Sequence, residues 1–236
     1  MVKEPHIGTL KEKSLHAALK EWLVEPGDQQ EVRLENYVID ICRGDQLIEI
    51  QTGSFGNIRT KLRKLLPSYP IRLIYPIPVD KWIVRLDADG SFLRKRMSPK
   101  HGRALEVFKE LVYIPKQLPH PNLTVEVVLI RQEEIWRDDG QGSWRRKGWS
   151  LYDHKLVEVV ENMQFSGRDG WLAWLPTTLD QPFTNKQLCK ALSCHSREAT
   201  RMTYSLRHAG FIEQVGKKGR QNLYQIAPAN DTSATH

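Results

Sequence analysis

The sequence has 236 residues, of which 40% are hydrophobic and 27% charged, and a net charge of +7 at pH 7. This length predicts one large or two modest domains. No apolar run approaches the ~18 residues of a membrane span, so we expect no membrane association. Three cysteines are too few for a disulfide framework, and residues 1–11 lack the apolar segment of a signal peptide, which favours a cytoplasmic protein. The basic balance favours a polyanionic partner such as nucleic acid.

The first third of the chain alternates helices with short strands. A helix is predicted from Thr9 to Val24, with Glu12 as the capping-box partner of Thr9. The elements expected next are strands at Glu31–Leu34, Tyr37–Arg43 and Gln46–Thr52, a helix at Asn57–Leu66 and a strand at Ile71–Pro76. This order predicts an α/β fold in which a mixed β-sheet carries helices on both faces.

The middle of the chain is predicted to extend the same domain with further strands. The pattern indicates a hairpin around Asp89 and Gly90, a helix at Ala104–Tyr113, and long strands at Leu123–Trp136 and Trp149–Gln164. Glycines and a proline interrupt the pattern after residue 165. We therefore expect a first domain over residues 1–165, a linker over 166–182, a second domain over 183–227 and a disordered tail over 228–236.

The segment 37–52 carries the most specific pattern of the first domain. Gly44 stands at the first central position of a turn that suits a two-residue type II′ hairpin, so that Asp40 is expected opposite Glu49. Side chains alternate across a sheet. We therefore expect four isoleucines on one face and polar side chains on the other: Ile39, Ile41, Ile48 and Ile50 against Asp40, Glu49 and Gln51.

Two opposed carboxylates need a reason, because like charges directly across a sheet destabilise it by up to about 1 kcal/mol. A cation between Asp40 and Glu49 would remove that cost, and Mg²⁺ takes one or two carboxylates together with water and substrate phosphate. Glu12 begins the apolar stripe of the first helix and is a third candidate for the same site. The alternatives are a solvated hairpin face with acids placed by chance, and a Glu12 that only caps its helix.

These residues resemble the PD-(D/E)XK nuclease superfamily. The resemblance rests on Glu12 in the first helix, Asp40 in one strand and Glu49-Ile50-Gln51 in the next, and it covers roughly residues 8–76. It implies a restriction-endonuclease-like core with the element order αβββαβ. It also implies metal-assisted hydrolysis of DNA, in which Asp40, Glu49 and the Ile50 carbonyl hold Mg²⁺ or Mn²⁺ and Glu12 binds a second metal or orients a water.

Two positions depart from the usual pattern of that superfamily. Ile39 stands where a proline is common, and Gln51 stands where the pattern usually has lysine. Gln51 would position water or phosphate by hydrogen bonding but cannot supply the charge of a lysine. A cation from the following helix, Lys61 or Lys64, is the candidate replacement.

Residues 183–227 show a different organisation. Helices are predicted over residues 184–192 and 196–209, and strands over 211–215 and 222–226 flank a basic turn. Two helices followed by such a ribbon resemble a winged helix-turn-helix, whose second helix enters the DNA major groove while the wing meets phosphates. The candidate DNA-binding residues are Arg197 and Arg201 on the helix, and Lys217, Lys218 and Arg220 on the wing.

Both regions of the chain imply the same substrate, and we expect a metal-dependent endonuclease for double-stranded DNA. Two alternatives stay open: a non-catalytic DNA-binding regulator with a degenerate nuclease fold, and a scaffold whose winged helix contacts protein. Restriction, transposon-end cleavage, mobile-element defence and repair are all compatible roles. Cleavage of both strands would imply a homodimer, since one such site normally cuts one strand.

Overall fold

The computed structural model describes residues 13–142, 144 and 148–228. Within these ranges the protein is mixed α/β, with a large mixed sheet of seven strands, helices packed on it and a second, three-stranded sheet. The strands are β1 (Gln29–Leu34), β2 (Tyr37–Arg43), β3 (Gln46–Ile50), β4 (Ile71–Leu86), β5 (Phe92–Met97), β6 (Leu123–Arg137), β7 (Ser150–Ser166), β8 (Phe183–Thr184), β9 (Ile212–Lys218) and β10 (Gln221–Ile226). The helices are α1 (Lys13–Leu23), α2 (Arg59–Leu65), α3 (Phe108–Leu111), α4 (Gly167–Leu172), α5 (Asn185–Ala191) and α6 (Ser196–His208), with a 3₁₀ helix at Ala104–Val107.

The large sheet has the order β1-β2-β3-β4-β6-β7, with β5 beside the second half of β4. Strands β1, β2 and β3 are antiparallel, β4 runs parallel to both β3 and β6, and β7 is antiparallel to β6. The strand predicted to end at Pro76 continues to Leu86. Prolines indicated an end because they cannot donate to a ladder. Pro76 and Pro78 lie after the last residue that pairs with β3 and before the first that pairs with β5, and a bulge follows between Pro78 and Asp80.

Apolar residues cover both faces of this sheet. Helix α1 buries Leu15, Leu19 and Leu23 against one face, where Ile41 and Ile48 lie among the sheet residues. A larger cluster on the other face joins α2, α3 and the C-terminal helices. Each leucine buried in this way contributes roughly 1.5–3 kcal/mol. The sheet is therefore held between helices, as the sequence predicted.

The C-terminal segment 183–226 packs against the sheet through the same larger cluster. Thr184 caps α5, since its side chain accepts from the Gln187 backbone N–H, and the order of the small sheet is β8-β10-β9. The predicted linker 166–182 contains α4 and the fully buried Trp171, and so contributes to the core. The predicted disorder of residues 229–236 falls outside the described residues. None of the helices in the described ranges is long and apolar enough to cross a membrane.

Candidate functional site

The β2–β3 hairpin has the predicted register around its turn. Gly44 has a φ of 55°, the left-handed conformation that the first central residue of such a turn requires. The Cα partners are Ile41 with Ile48, Cys42 with Leu47 and Arg43 with Gln46. The local turn chemistry therefore sets the alignment of the two strands.

Strands β2 and β3 separate just before they reach the acids. The ladder ends at the pair Ile41–Ile48, and Asp40 Oδ2 instead accepts a hydrogen bond from the Ile50 backbone N–H at 2.8 Å. The regular pairing predicted for Asp40 with Glu49 is thus replaced by a side chain that bonds to the neighbouring backbone. This arrangement holds the Asp40 carboxylate at the end of β3.

The pairing of β2 with β1 is also irregular. Glu31 has a φ of 53°, and the β1–β2 ladder skips the position between the pairs formed by Ile39 and Ile41. Ile39 then packs in the cluster on the α2 face, whereas the other three isoleucines pack under α1. The predicted single isoleucine face is therefore wrong at Ile39, because strict alternation holds only while a ladder is regular.

Four side chains meet where β2 and β3 separate, and we call His16, Asp40, Glu49 and Lys61 the charged cluster. His16 Nε2 lies 3.2 Å from Asp40 Oδ2. Lys61 Nζ forms an ion pair with Glu49 Oε1 and donates to the Val38 carbonyl oxygen at 2.6 Å. Since His16 lies on α1 and Lys61 on α2, helices from both faces of the sheet reach the two carboxylates.

Burial controls the charge of this cluster. Glu49 is only 6% exposed, and this burial raises the pKa of its carboxyl to about 7 although the charge and hydrogen bond of Lys61 act in the opposite direction. Burial also acts to raise the pKa of Asp40, but the hydrogen bonds from His16 and the Ile50 N–H outweigh it, so that the pKa lies below its usual value. The hydrogen bond to Asp40 in turn raises the pKa of His16. Near neutral pH, Asp40 is ionised and Glu49 is close to its titration midpoint.

The other predicted catalytic residues lie in different places. The Gln51 side chain donates from Nε2 to the Ser54 carbonyl oxygen at 3.0 Å, so its amide stabilises the loop after β3. Lys64 is exposed, and of the two candidate cations the structure brings Lys61 to the carboxylates. Ile50 adjoins the charged cluster, since its backbone N–H donates to Asp40 Oδ2, while Glu12 falls outside the described residues.

The sequence prediction did not include His16. This residue directly follows Leu15, which α1 buries against the sheet, so it stands at the border of the apolar stripe. A polar side chain at such a border reaches the end of the strands beneath it. That position was the available signal, although helical periodicity alone does not identify Asp40 as its partner.

Asp40 and Glu49 are the side chains of the charged cluster that could serve as ligands for a divalent cation. Within residues 13–142, 144 and 148–228, the structure contains no group of three or more His, Cys, Asp or Glu side chains that could hold a metal ion. Asp40 and Glu49 still supply two carboxylates, which is the number that Mg²⁺ commonly takes from a protein when water and substrate phosphate complete its shell. Because Lys61 already contacts Glu49, a bound cation would share that carboxylate with the lysine or displace it.

A cleft of about 240 Å³ adjoins the loop that follows Gln51. It is lined by residues of α1, of the loop and of the sheet, among them Leu15, Thr52, Gln132, Glu134 and His154. The cleft lies beside α1, between the loop and the second half of β6.

The residues predicted to bind DNA separate into two groups. Lys217, Lys218 and Arg220 are exposed around the β9–β10 turn, where Gly219 has a φ of 62°. A cavity of about 500 Å³ lies between this ribbon and the two helices, lined among others by Asn185, Lys186, Ser196, Thr200, Arg220 and Asn222. Of the three basic residues, Arg220 therefore borders a polar concave surface.

On helix α6 the two predicted arginines differ in access. Arg197 is exposed, whereas Arg201 is half-buried and lines a crevice with Leu105 of the 3₁₀ helix and Phe108 of α3. The crevice forms because α6 packs against α3. Of the two arginines, Arg197 is the one placed to meet a large ligand.

The chain belongs to the family described as a domain of unknown function, DUF8091, which matches residues 13–166. That span runs from α1 to the end of β7 and contains the whole charged cluster. An uncharacterized protein from Treponema pallidum (strain Nichols) is 33% identical over 227 residues, which is 95% of this chain and 89% of that relative. A match of this length includes residues of the C-terminal segment as well. No solved structure matches the chain.

Proposed function

We propose that the protein is a divalent-metal-dependent endonuclease that hydrolyses DNA. The observation that carries this proposal is the charged cluster, in which Lys61 pairs with Glu49 and the Ile50 N–H of the same strand holds Asp40 where β2 and β3 separate. Two carboxylates and a cation at the end of a strand can hold a metal ion and a phosphate side by side.

The order of the elements supports the resemblance to PD-(D/E)XK nucleases. Helix α1, strands β1 to β3, helix α2 and strand β4 follow one another as αβββαβ. The first three strands are antiparallel and β4 returns parallel to β3. A restriction-endonuclease-like core has the same element order, and the two carboxylates lie on its second and third strands, as the motif requires.

In this proposal Asp40 and Glu49 hold Mg²⁺ or Mn²⁺, with the Ile50 carbonyl and Glu12 as further ligands. The metal, when bound, polarises the phosphate and lowers the pKa of its water. Asp40 is ready to bind because its pKa is depressed, and His16 fixes its orientation. Glu49 must release a proton on binding, since a ligating carboxylate is deprotonated.

Lys61 takes the place of the lysine that the motif lacks. The Gln51 amide is engaged by the Ser54 carbonyl, so it contributes no charge to the site. Lys61 reaches the same site from α2 and places its ammonium beside Glu49. A positive group there is positioned to stabilise the charge that develops on a phosphate under attack.

The C-terminal segment supports a DNA substrate as a proposed winged helix-turn-helix. Its elements follow in the order β8, α5, α6, β9, β10, and the basic residues lie at the ribbon tip. In that arrangement α6 would present Arg197 to the major groove, and Lys217, Lys218 and Arg220 would meet phosphates. These contacts favour double-stranded DNA as the partner.

A second candidate function is a DNA-binding regulator that does not cleave. It is favoured by the ion pair between Lys61 and Glu49, which already neutralises one of the two carboxylates without a metal. The engagement of Gln51 in its own loop points the same way. In this case the cluster would stabilise the fold and the C-terminal segment would carry the function.

Cleavage of supercoiled plasmid with Mg²⁺ or Mn²⁺ separates the two functions. We expect the parent to cleave, and Asp40→Ala and Glu49→Ala to abolish cleavage. Asp45→Ala is the matched control, because Asp45 is an exposed acid in the turn of the same hairpin, and it should cleave like the parent. A parent that cleaves with neither metal favours the regulator, and cleavage that survives both cluster substitutions moves the active site elsewhere.

A further inference from the structure

The second halves of β4 and β6, with β5 along the edge of β4, form a sheet region that we call the β-arm (residues 81–97 and 131–137). Strands β4 and β6 have 16 and 15 residues, whereas β3 pairs only with the first residues of β4. All six residues of β5 are exposed. The β-arm is therefore open to solvent at its β5 edge.

Three arginines share one face of the β-arm, and we call Arg85, Arg94 and Arg96 the arginine face. Arg85 and Arg94 are direct cross-strand partners, and Arg96 lies opposite Ile83. Like charges directly opposite each other destabilise a sheet. Among the residues that the structure describes, none of the three has an acidic group within 4.0 Å, so the repulsion is not compensated there.

The two acids of the neighbouring strand β6, Glu133 and Glu134, are already bound to lysines. Glu134 accepts from Lys81 Nζ at 2.6 Å and from Trp136 Nε1 at 3.3 Å. Glu133 accepts from Lys95 Nζ at 2.6 Å. The strands thus neutralise their lysines internally and leave the guanidinium groups available to an external anion.

Arg85 has the most defined geometry of the three arginines. Its guanidinium stacks on the Trp149 ring at 4.6 Å from the ring centre, and its Nε is buried with no hydrogen-bond partner among the described residues. A buried donor left unpaired costs about 1–3 kcal/mol. Because the Nε is shielded from solvent, a phosphate would contact the stacked guanidinium through its two Nη groups, which form no hydrogen bond with the described residues.

Protection against aggregation does not explain this arrangement fully. Charged residues on an edge strand prevent pairing with other chains, and Arg94 and Arg96 on β5 suit that role. Arg85 does not, because β4 is an interior strand between β5 and β6. Placing an unpaired arginine on the interior strand opposite another arginine points to a ligand.

The position of the arginine face relative to the charged cluster fits a duplex. The Ile74 carbonyl accepts from the Gln51 N–H, and Arg85 lies eleven residues further along β4. At about 3.3 Å per residue the separation is roughly 35 Å, close to one turn of B-DNA. We propose that the arginine face binds the phosphate backbone of double-stranded DNA about one helical turn from the charged cluster. This inference rests on the proposed function for the identity of the ligand.

Anisotropy titrations with labelled duplex DNA in EDTA, over a range of salt, test the proposal. The variant Arg85→Gln/Arg94→Gln/Arg96→Gln should lose about 2.7 from the slope of log affinity against log salt, since each phosphate contact contributes about 0.9. The control Arg33→Gln/Arg63→Gln/Lys116→Gln removes the same charge from positions elsewhere, including the edge strand β1. An equal loss in both variants would overturn the proposal.

A gain-of-signal measurement covers the case in which the triple variant does not fold. A photo-crosslinking residue at Phe92, which is 65% exposed on β5, should crosslink to the duplex, whereas one at Trp22, 43% exposed on α1, should not. Absence of the Phe92 crosslink, or equal crosslinking at both positions, contradicts the proposal. Plasmid cleavage is measured separately. If the parent binds DNA through the arginine face but does not cleave it, the proposed nuclease function is contradicted and the proposed binding surface is supported.

Discussion

The hairpins β2–β3 and β9–β10 turn in the same way but carry opposite charges in opposite environments. Each has a glycine with positive φ in its turn, 55° at Gly44 and 62° at Gly219. The flanking pairs Arg43–Gln46 and Lys218–Gln221 close the two turns in the same manner. Asp40 and Glu49 of the first hairpin lie several residues from its turn, inside the fold, while Lys217, Lys218 and Arg220 of the second surround its exposed tip.

This difference decides what each charge can do. A carboxylate under a helix, such as Glu49, is coupled to folding, because its ionisation competes with burial. A lysine at a solvated tip, such as Lys217, is coupled only to a ligand that arrives from outside. Substitutions in the first hairpin should therefore change stability and pH dependence, and substitutions in the second should change binding alone.

The largest effect is expected when the buried pair loses its cation. Lys61→Met leaves the Glu49 carboxylate buried without a partner, and breaking a buried ion pair in this way costs about 3–5 kcal/mol. The loss should be largest at pH 8 and smaller at pH 6, where Glu49 takes up a proton. Urea unfolding at the two pH values measures both quantities.

Two further variants make that result specific. Arg63→Met removes a neighbouring exposed cation of α2 and should change the free energy of unfolding by no more than about 0.5 kcal/mol. Combining Lys61→Met with Glu49→Gln should restore most of the lost stability, since no buried charge remains. Equal unfolding free energies for Lys61→Met and Arg63→Met at pH 8 would show that the ion pair does not hold this site together.

The next largest effect is the pH dependence that Glu49 contributes. Its pKa is raised from 4.5 to about 7 by folding, so its contribution to stability is fully present below pH 4.5 and is lost as the pH rises through 7. The difference of about 2.5 between the two pKa values corresponds to roughly 3 kcal/mol. Asp40, whose pKa is depressed, contributes stability that is lost as the pH falls, but this loss occurs only below pH 4.

Comparing the parent with Glu49→Gln isolates that contribution. The difference in unfolding free energy between the two proteins should shift by roughly 3 kcal/mol between pH 4.5 and pH 8, with the parent losing stability relative to the variant. His16, whose pKa is also raised, is present in both proteins. A constant difference across this range would mean that Glu49 titrates in the folded protein as it does in water.

The features predictable from sequence are those set by local chemistry. Gly44 alone fixed the pairing of Arg43 with Gln46. Lys61 and Lys64 lie on the same side of the buried stripe of α2, formed by Leu62 and Leu65, with Lys61 nearer to it. Which of the two lysines reaches a carboxylate depends on how α2 packs on the sheet, a tertiary contact. Arg201 matches Arg197 in helical phase, yet α3 packs against it. Long-range packing of this kind leaves no mark in a single sequence.

The smallest effect on stability is expected at the tip of the β9–β10 hairpin, the second of the two hairpins compared. Lys217→Gln/Lys218→Gln/Arg220→Gln should change the free energy of unfolding by no more than about 0.5 kcal/mol, because all three side chains are exposed. The salt slope of duplex binding should fall by about 2.7 if each residue meets one phosphate, and calorimetric Mg²⁺ binding at the charged cluster should be unchanged. Unchanged DNA affinity would show that the ribbon tip does not contact DNA. A loss of Mg²⁺ binding would instead show that the two hairpins are coupled, since nothing local to an exposed tip can reach Asp40 and Glu49.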